Sequence, residues 1–516
     1  MTRNLPAVFL AAAAVGGLSI MTGVFFDTSW HRSIGRDTFF IWPHLCIFIG
    51  AFVVGVASFS GVATASIGRA EAYGGTVLRL GPLRLPAGFA IACVGILVVL
   101  AAGPIDAYWH WLYGKDVLIW SFPHLLLYYG GGVAAVGLLL AAAAEKGRGV
   151  FARRWLWLAT MIVILEDLVH RSLFVLAHYT QVPETRTADF YPLLVSLFLP
   201  LIFVAGVRAV GWWAPPVASA FYLVICILVD IALSMMGFER YTLTPFVVVP
   251  ALVIAGLYYA TRRPQSAWIA IVSGLVFALV FTAMEAAWMH TVVSRPWPAR
   301  AIAAGLPWTL LAGAGSGWVG WVLGGFLLAA APKRSAAEIF GSARRAARLA
   351  VIALALCVIG VMATYRPTEY GPAMTAAELR LAPLDRVRYQ DSVFWVAMLE
   401  ETWARSPIVV ARSEGIIEGL PLSVGPAWCA PTDAELRQEL AGARFSLEVN
   451  GAGVDLSPYP IVPVRLRDGR PCGWVAVGAR FQRASINRFL YTIDLPGRRD
   501  GVQRMAADVK VVFKDP

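Results

Sequence analysis

Long apolar runs broken by short polar segments fill the first two thirds of the chain. They begin near Pro6, Phe40, Pro86, Leu118, Trp155, Tyr191, Pro215, Thr244, Trp268, Ala304 and Leu349. Each is close to the roughly 20 residues that a helix needs to cross about 30 Å of hydrocarbon. The pattern predicts a mainly α polytopic membrane protein of about 11 transmembrane helices. The first run, Leu5 to Phe26, is longer than the h-region of a signal peptide and is read as a retained helix.

Beyond residue 365 the period changes from helical to two. Phe445, Leu447 and Val449 alternate with Ser446 and Glu448, Val509, Val511 and Phe513 recur at every second position, and Asn450-Gly451 and Asp468-Gly469 are turn pairs. A β-sandwich-like domain of antiparallel strands is expected there, with helices at Asp433 to Leu440 and Asp391 to Ala404. Three regions follow: 1–150, a four-helix membrane unit; 151–365, seven further transmembrane helices; and 366–516, a β-rich domain.

Composition agrees with a lipid setting, since 58% of residues are hydrophobic and 15% charged, with a mean hydropathy of +0.67. Basic residues gather in alternate loops: Arg69, Arg79 and Arg84; Lys146, Arg148, Arg153 and Arg154; Arg208; Arg262 and Arg263; then Lys333 to Arg348. The positive-inside bias makes those loops cytoplasmic, with the N-terminus inside and, after an odd number of crossings, the C-terminal domain periplasmic or extracellular. A plasma (inner) membrane location is expected. The net charge of +11 reflects that bias and calls for no nucleic-acid partner. Cys46, Cys93, Cys226 and Cys357 sit in spans as small core residues, while Cys429 and Cys472 lie in the exported domain and could pair.

One polar pattern occurs twice. Asp27, Trp30, His31, Asp37, Pro43 and His44 are matched by Asp106, Trp109, His110, Asp116, Pro123 and His124. In each repeat the Asp and the first His are four residues apart, on one helix face, and the second His follows 13 or 14 residues later. Two imidazoles and a carboxylate form a ligand set for copper, iron or zinc, because imidazole suits these metals and the carboxylate neutralises part of their charge. Pro43 and Pro123 fit the first turn of the incoming helices. Asp37 and Asp116 are expected to pair with Arg36, Lys115 or loop backbone.

Other ionisable residues share the outer depth: Glu166, Asp167, His170 and His178, then Asp230, then Glu285 and His290. A charge at such depth is costly unless paired or ligated. Glu166 and His170, one turn apart, are a third candidate metal cluster, although Arg171 could pair with Glu166 or Asp167. His178 and His290 read as headgroup-level anchors, and Asp230 as a partner for Arg240. Gly313, Gly317, Gly320 and Gly324 have the small-residue spacing of tight helix packing. A phosphate-binding glycine loop, a Cys-x-x-Cys-His haem attachment and a nucleophile elbow are missing, which disfavours ATP-driven pumps and hydrolases.

Asp-x-x-Trp-His, an acidic residue five or six positions on, and then a Pro shortly before a second His resemble the C subunit of the copper membrane monooxygenases, the particulate methane and ammonia monooxygenase family. The resemblance spans roughly the first 130 residues. It implies a copper site at Asp27, His31 and His44, and a second site at Asp106, His110 and His124, where the family has Asn in place of Asp106. It implies catalysis at the first site, O2 activation for oxidation of a small apolar substrate, and further monooxygenase-type subunits or a homo-oligomer. The C-terminal domain contains no histidine and so offers no ordinary cupredoxin site. Two readings from other classes remain open: a non-catalytic copper-binding or metal-handling membrane protein, and a transporter whose Asp/His pairs relay protons.

Overall fold

The computed structural model describes residues 2–33, 40–113, 122–175, 188, 190–238, 247–291, 297–330, 371–384, 408–412, 422–465, 470–483, 485–496 and 504–513. The chain divides into two compact units, a helical one reaching to Tyr365 and a second from Arg366 to Pro516.

The helical unit contains α1 (Leu5–Ser33), α2 (Trp42–Thr64), α3 (Ala87–Tyr113), α4 (Phe122–Ala144), α5 (Arg154–Val175), α6 (Tyr191–Ala209), α7 (Ala214–Met235), α8 (Val248–Thr261), α9 (Ala267–Thr291) and α10 (Ala299–Ala330). Eight of these, all except α5 and α8, are long and apolar enough to cross a membrane. α5 is long enough at 22 residues but carries Glu166, Asp167, His170 and Arg171 in its second half. α8 has only 14 residues. The apolar run beginning near Leu349 lies outside the described residues.

Small residues set the helix spacing, because without a hydrophobic driving force helices in lipid associate by close packing. A Cβ added at Gly16 of α1 would stand 2.8 Å from the carbonyl oxygen of Gly50 on α2. One at Gly95 of α3 would stand 2.5 Å from that of Gly130 on α4. The predicted glycine face of α10 is likewise packed tight: Gly313 and Gly317 meet α9, while Gly320 and Gly324 meet α6. Pro43 and Pro123 occupy the second positions of α2 and α4, where a missing N–H costs nothing.

A short hairpin that the sequence pattern did not reveal joins α2 to α3. Its strands, β1 (Val77–Leu80) and β2 (Leu83–Pro86), are antiparallel and turn through Gly81 at φ +58°. Just beyond α4, the buried Glu145 accepts a hydrogen bond from the Gly74 backbone N–H at 2.6 Å. Burial pushes its carboxyl above the ordinary range, opposed by that N–H and by Arg148. This carboxylate ties the loop after α2 to the C-terminal end of α4.

The second unit is rich in β-strands. One sheet runs in the order β4 (Ile408–Arg412), β13 (Arg504–Phe513), β12 (Ser485–Asp494), β7 (Arg444–Val449) and β8 (Ala452–Val454). β7 and β8 turn through Asn450 and Gly451, both at positive φ. β6 (Ala427–Cys429), β10 (Pro471–Val475) and β9 (Ile461–Arg465) form a three-stranded sheet, as do β3 (Ala382–Pro383), β11 (Val477–Ala479) and β5 (Leu422–Ser423). The register places Cys472 opposite Cys429, and the two form a disulfide. The helix expected at Asp433–Leu440 is present as α11, with Thr432 accepting from the Glu435 backbone N–H at its N-terminus. The second helix expected there, Asp391 to Ala404, falls outside the described residues, as does the Asp468-Gly469 turn.

Candidate functional site

The antiparallel pair α1–α2 brings the end of one helix beside the start of the next, so residues 17 positions apart in sequence meet. Asp27, near the C-terminal end of α1, faces His44, in the first turn of α2, with Oδ1 and Nε2 3.2 Å apart. α3–α4 repeats this, with Asp106 Oδ1 3.3 Å from His124 Nε2. The exposures nearly agree: 19% and 25% for His44 and Asp27, 20% and 19% for His124 and Asp106.

The repetition extends to the backbone. Gly16 and Gly95, like Asp27 and Asp106, are 79 residues apart, while Gly50 and Gly130, like His44 and His124, are 80 apart. The close glycine contact in each pair therefore joins equivalent positions, two to three turns from the Asp–His contact. The absent side chains let each hairpin's helices approach this closely and so bring the carboxylate near the imidazole.

An Asp–His separation near 3.2 Å is within ion-pair range. It is also that of two donors on one ion, since donors about 2.0–2.2 Å from a metal at angles of about 90–110° lie roughly 2.9–3.5 Å apart. His31 and His110 stand one helical turn beyond Asp27 and Asp106 in α1 and α3. Their side chains lie outside the described ones. Among the described residues no three His, Cys, Asp or Glu side chains converge as a metal group.

Aromatic rings line the first repeat. His44 lies 6.0 Å from Phe48, Phe26 packs edge-on against Trp30, and both contact Phe238. In the second repeat the position equivalent to Phe48 is Tyr128.

α5 contributes a buried charged segment against α1, α4 and α7. Of the partners left open for Arg171, Asp167 is the one chosen, at 2.8 Å, and Glu166 instead faces His170 Nδ1 at 3.3 Å. Both pairs are i,i+4, the spacing that shares a helix face. The His170 ring sits between Phe25 of α1 and Tyr222 of α7, with centroids at 4.6 and 5.3 Å. Glu166 Oε2 and His170 Nε2 are buried without a hydrogen-bonding partner among the described residues. Glu166 and His170 supply two donors of opposite type, one fewer than each of the predicted triads.

Of the remaining sequence candidates, Glu285 is fully buried in α9, His290 is exposed at that helix's end, and Asp230 is half-buried in α7. His178, Asp37, Asp116 and Arg240 lie outside the described residues. Sequence reasoning passed over Tyr128 and Tyr222. The first could have been found by aligning the two repeats and asking where a polar group replaces an apolar one.

No family model, curated protein or solved structure matches this chain.

Proposed function

We propose that this chain is a copper-dependent, monooxygenase-like membrane protein that activates O2 to oxidise a small apolar substrate reaching it through the lipid. The observation that carries the reading is the Asp–His contact built twice, at 3.2 and 3.3 Å, by equivalent residues of two helix hairpins. Asp27, His31 and His44 would hold one ion, and Asp106, His110 and His124 the other. Iron or zinc would fit the same donors; Glu166 and His170 form a thinner third pair.

Copper bound there would supply one-electron redox chemistry on O2. The chain's own contribution begins with preorganisation, because the fold already brings Asp27 Oδ1 to 3.2 Å from His44 Nε2 and Asp106 Oδ1 to 3.3 Å from His124 Nε2. Imidazole and carboxylate bind a cation in their deprotonated forms, so binding weakens as pH falls. Phe25, Phe26, Trp30 and Phe48 keep water from the first site, where it would quench an oxidising species.

In this reading 11 crossings, the last starting near Leu349, carry the chain from a cytoplasmic N-terminus to an exported β-sandwich domain in the plasma membrane. Companion subunits or a second copy complete the assembly. Cysteines introduced at Ser33, Tyr113 and Gly451 should all react with a membrane-impermeant reagent from outside; cytoplasmic labelling of any one overturns the outer-face assignment.

The functional test is O2 uptake by copper-loaded protein supplied with an electron donor and small hydrocarbons or ammonia. Substrate-dependent uptake lost in Asp27→Asn is the expected result. Copper binding without uptake would make the protein a metal-handling one, and proton-coupled transport without copper would make it a transporter.

A further inference from the structure

We propose that the β1–β2 hairpin recognises an anionic phospholipid, its leucines seated in the bilayer surface while Arg79 and Arg84 grip the lipid phosphate. The hairpin joins the ends of α2 and α3 that lie away from the Asp–His contacts, and its role is independent of the copper reading.

The membrane span that includes α2 ends at Ala72, and the next begins at Ala87. Strands of four residues reach roughly 13 Å, so the hairpin between those spans stays at the bilayer surface. Its base is fixed to the helical unit. Val77 packs against the helical core and Pro86 is buried. The Arg84 backbone N–H donates to the Ser66 hydroxyl at 2.9 Å, and the Ala87 N–H to the Thr76 carbonyl at 2.9 Å.

Register sorts the side chains into two faces. Leu80 stands opposite Leu83 and Leu78 opposite Leu85, while Arg79 stands opposite Arg84. Successive residues of a strand point to opposite faces, so the four leucines share one face and the two arginines share the other. The leucine face is open toward the tip, where Leu80 is 65% and Leu83 43% exposed. Ile67, next to the Ser66 that holds the hairpin, is exposed as well. An apolar face backed by a basic one, beside two spans, is the chemistry of an element that lies in the interface plane.

The arginine face lacks its counter-charge within the protein. Like charges directly opposite across a hairpin destabilise it, and among the described residues no carboxylate pairs with Arg79 or Arg84. Arg69, also exposed, adds a third positive charge just before the hairpin. Directly opposed residues have Cβ atoms about 4.5–5.5 Å apart, close enough for two guanidinium forks to close on one phosphate. A phosphate tethered to acyl chains satisfies both faces together. An acidic peptide would neutralise the arginines and leave the leucines in water, and a zwitterionic lipid already carries a cation beside its phosphate.

The test uses full-length protein in vesicles of mixed phosphatidylcholine and phosphatidylglycerol, with a nitroxide on Pro82→Cys at the turn and the signal of identically treated wild type subtracted. Dissolved O2 should relax the nitroxide more than a water-soluble nickel chelate does, and the nitroxide should broaden the phosphorus resonance of phosphatidylglycerol more than that of phosphatidylcholine. Replacing Arg79 and Arg84 by Gln should erode this lipid preference by about fivefold per arginine while leaving the depth unchanged. Leu80→Ser with Leu83→Ser should move the nitroxide into water. A nitroxide already in water with both leucines present, or equal broadening of the two lipids, overturns the proposal and would leave an acidic soluble partner as the occupant of the arginine face.

Discussion

The two hairpins, α1–α2 and α3–α4, keep the same backbone approach and the same Asp–His contact while the side chains around that contact differ. Gly16 against Gly50 is repeated by Gly95 against Gly130, and Asp27 with His44 by Asp106 with His124. Near the first pair stand Phe48, Trp30 and Phe238; in the second repeat Tyr128 takes the place of Phe48. What repeats is the part that sets distance between carboxylate and imidazole, and what varies is the part that sets polarity. Two sites of one geometry can thereby differ in affinity, redox behaviour and access to water.

The sharpest way to break the equivalence is to neutralise each carboxylate in turn. Asp27→Asn should lower turnover by at least about tenfold, because an amide is a poorer donor than a carboxylate to an oxidised copper centre. Asp106→Asn should stay within about twofold, since the proteins whose motif the repeats resemble carry Asn at that place. The reverse pattern in an O2-uptake assay would move catalysis to the second repeat; no effect of either would favour metal handling.

A structural version asks whether the two glycine contacts carry equal weight. Gly16→Leu and Gly95→Leu should each destabilise the helical unit by about 1–3 kcal/mol, because a side chain would press on backbone that cannot yield. Unfolding in mixed detergent measures this, and a variant of either glycine with wild-type stability would contradict the shared geometry. The smallest effect is expected outside the repeats: exposed His290, changed to Ala, should leave metal content as it was.

Much of this was legible in the residues. Starts of the long helices followed from apolar runs, and the four-residue Asp/His spacing marked a shared face. The disulfide joins the two cysteines outside the apolar runs. The pairing of Arg171 was open because Glu166 and Asp167 are adjacent, and helical geometry decided it for Asp167 at i,i+4. Less legible was the contact between Asp27 and His44, which depends on how two helices align and hence on Gly16 and Gly50. The β1–β2 hairpin escaped because its strands are only four residues long. α5 stood apart from the eight apolar helices for the reason that makes it interesting: its charges are buried in pairs rather than absent.

Copper per chain tests the central claim most directly. Elemental analysis of purified, copper-loaded protein should give two ions in the wild type, one in His31→Ala, one in His110→Ala and none when both substitutions are combined. An unchanged copper content in the double variant would contradict the account.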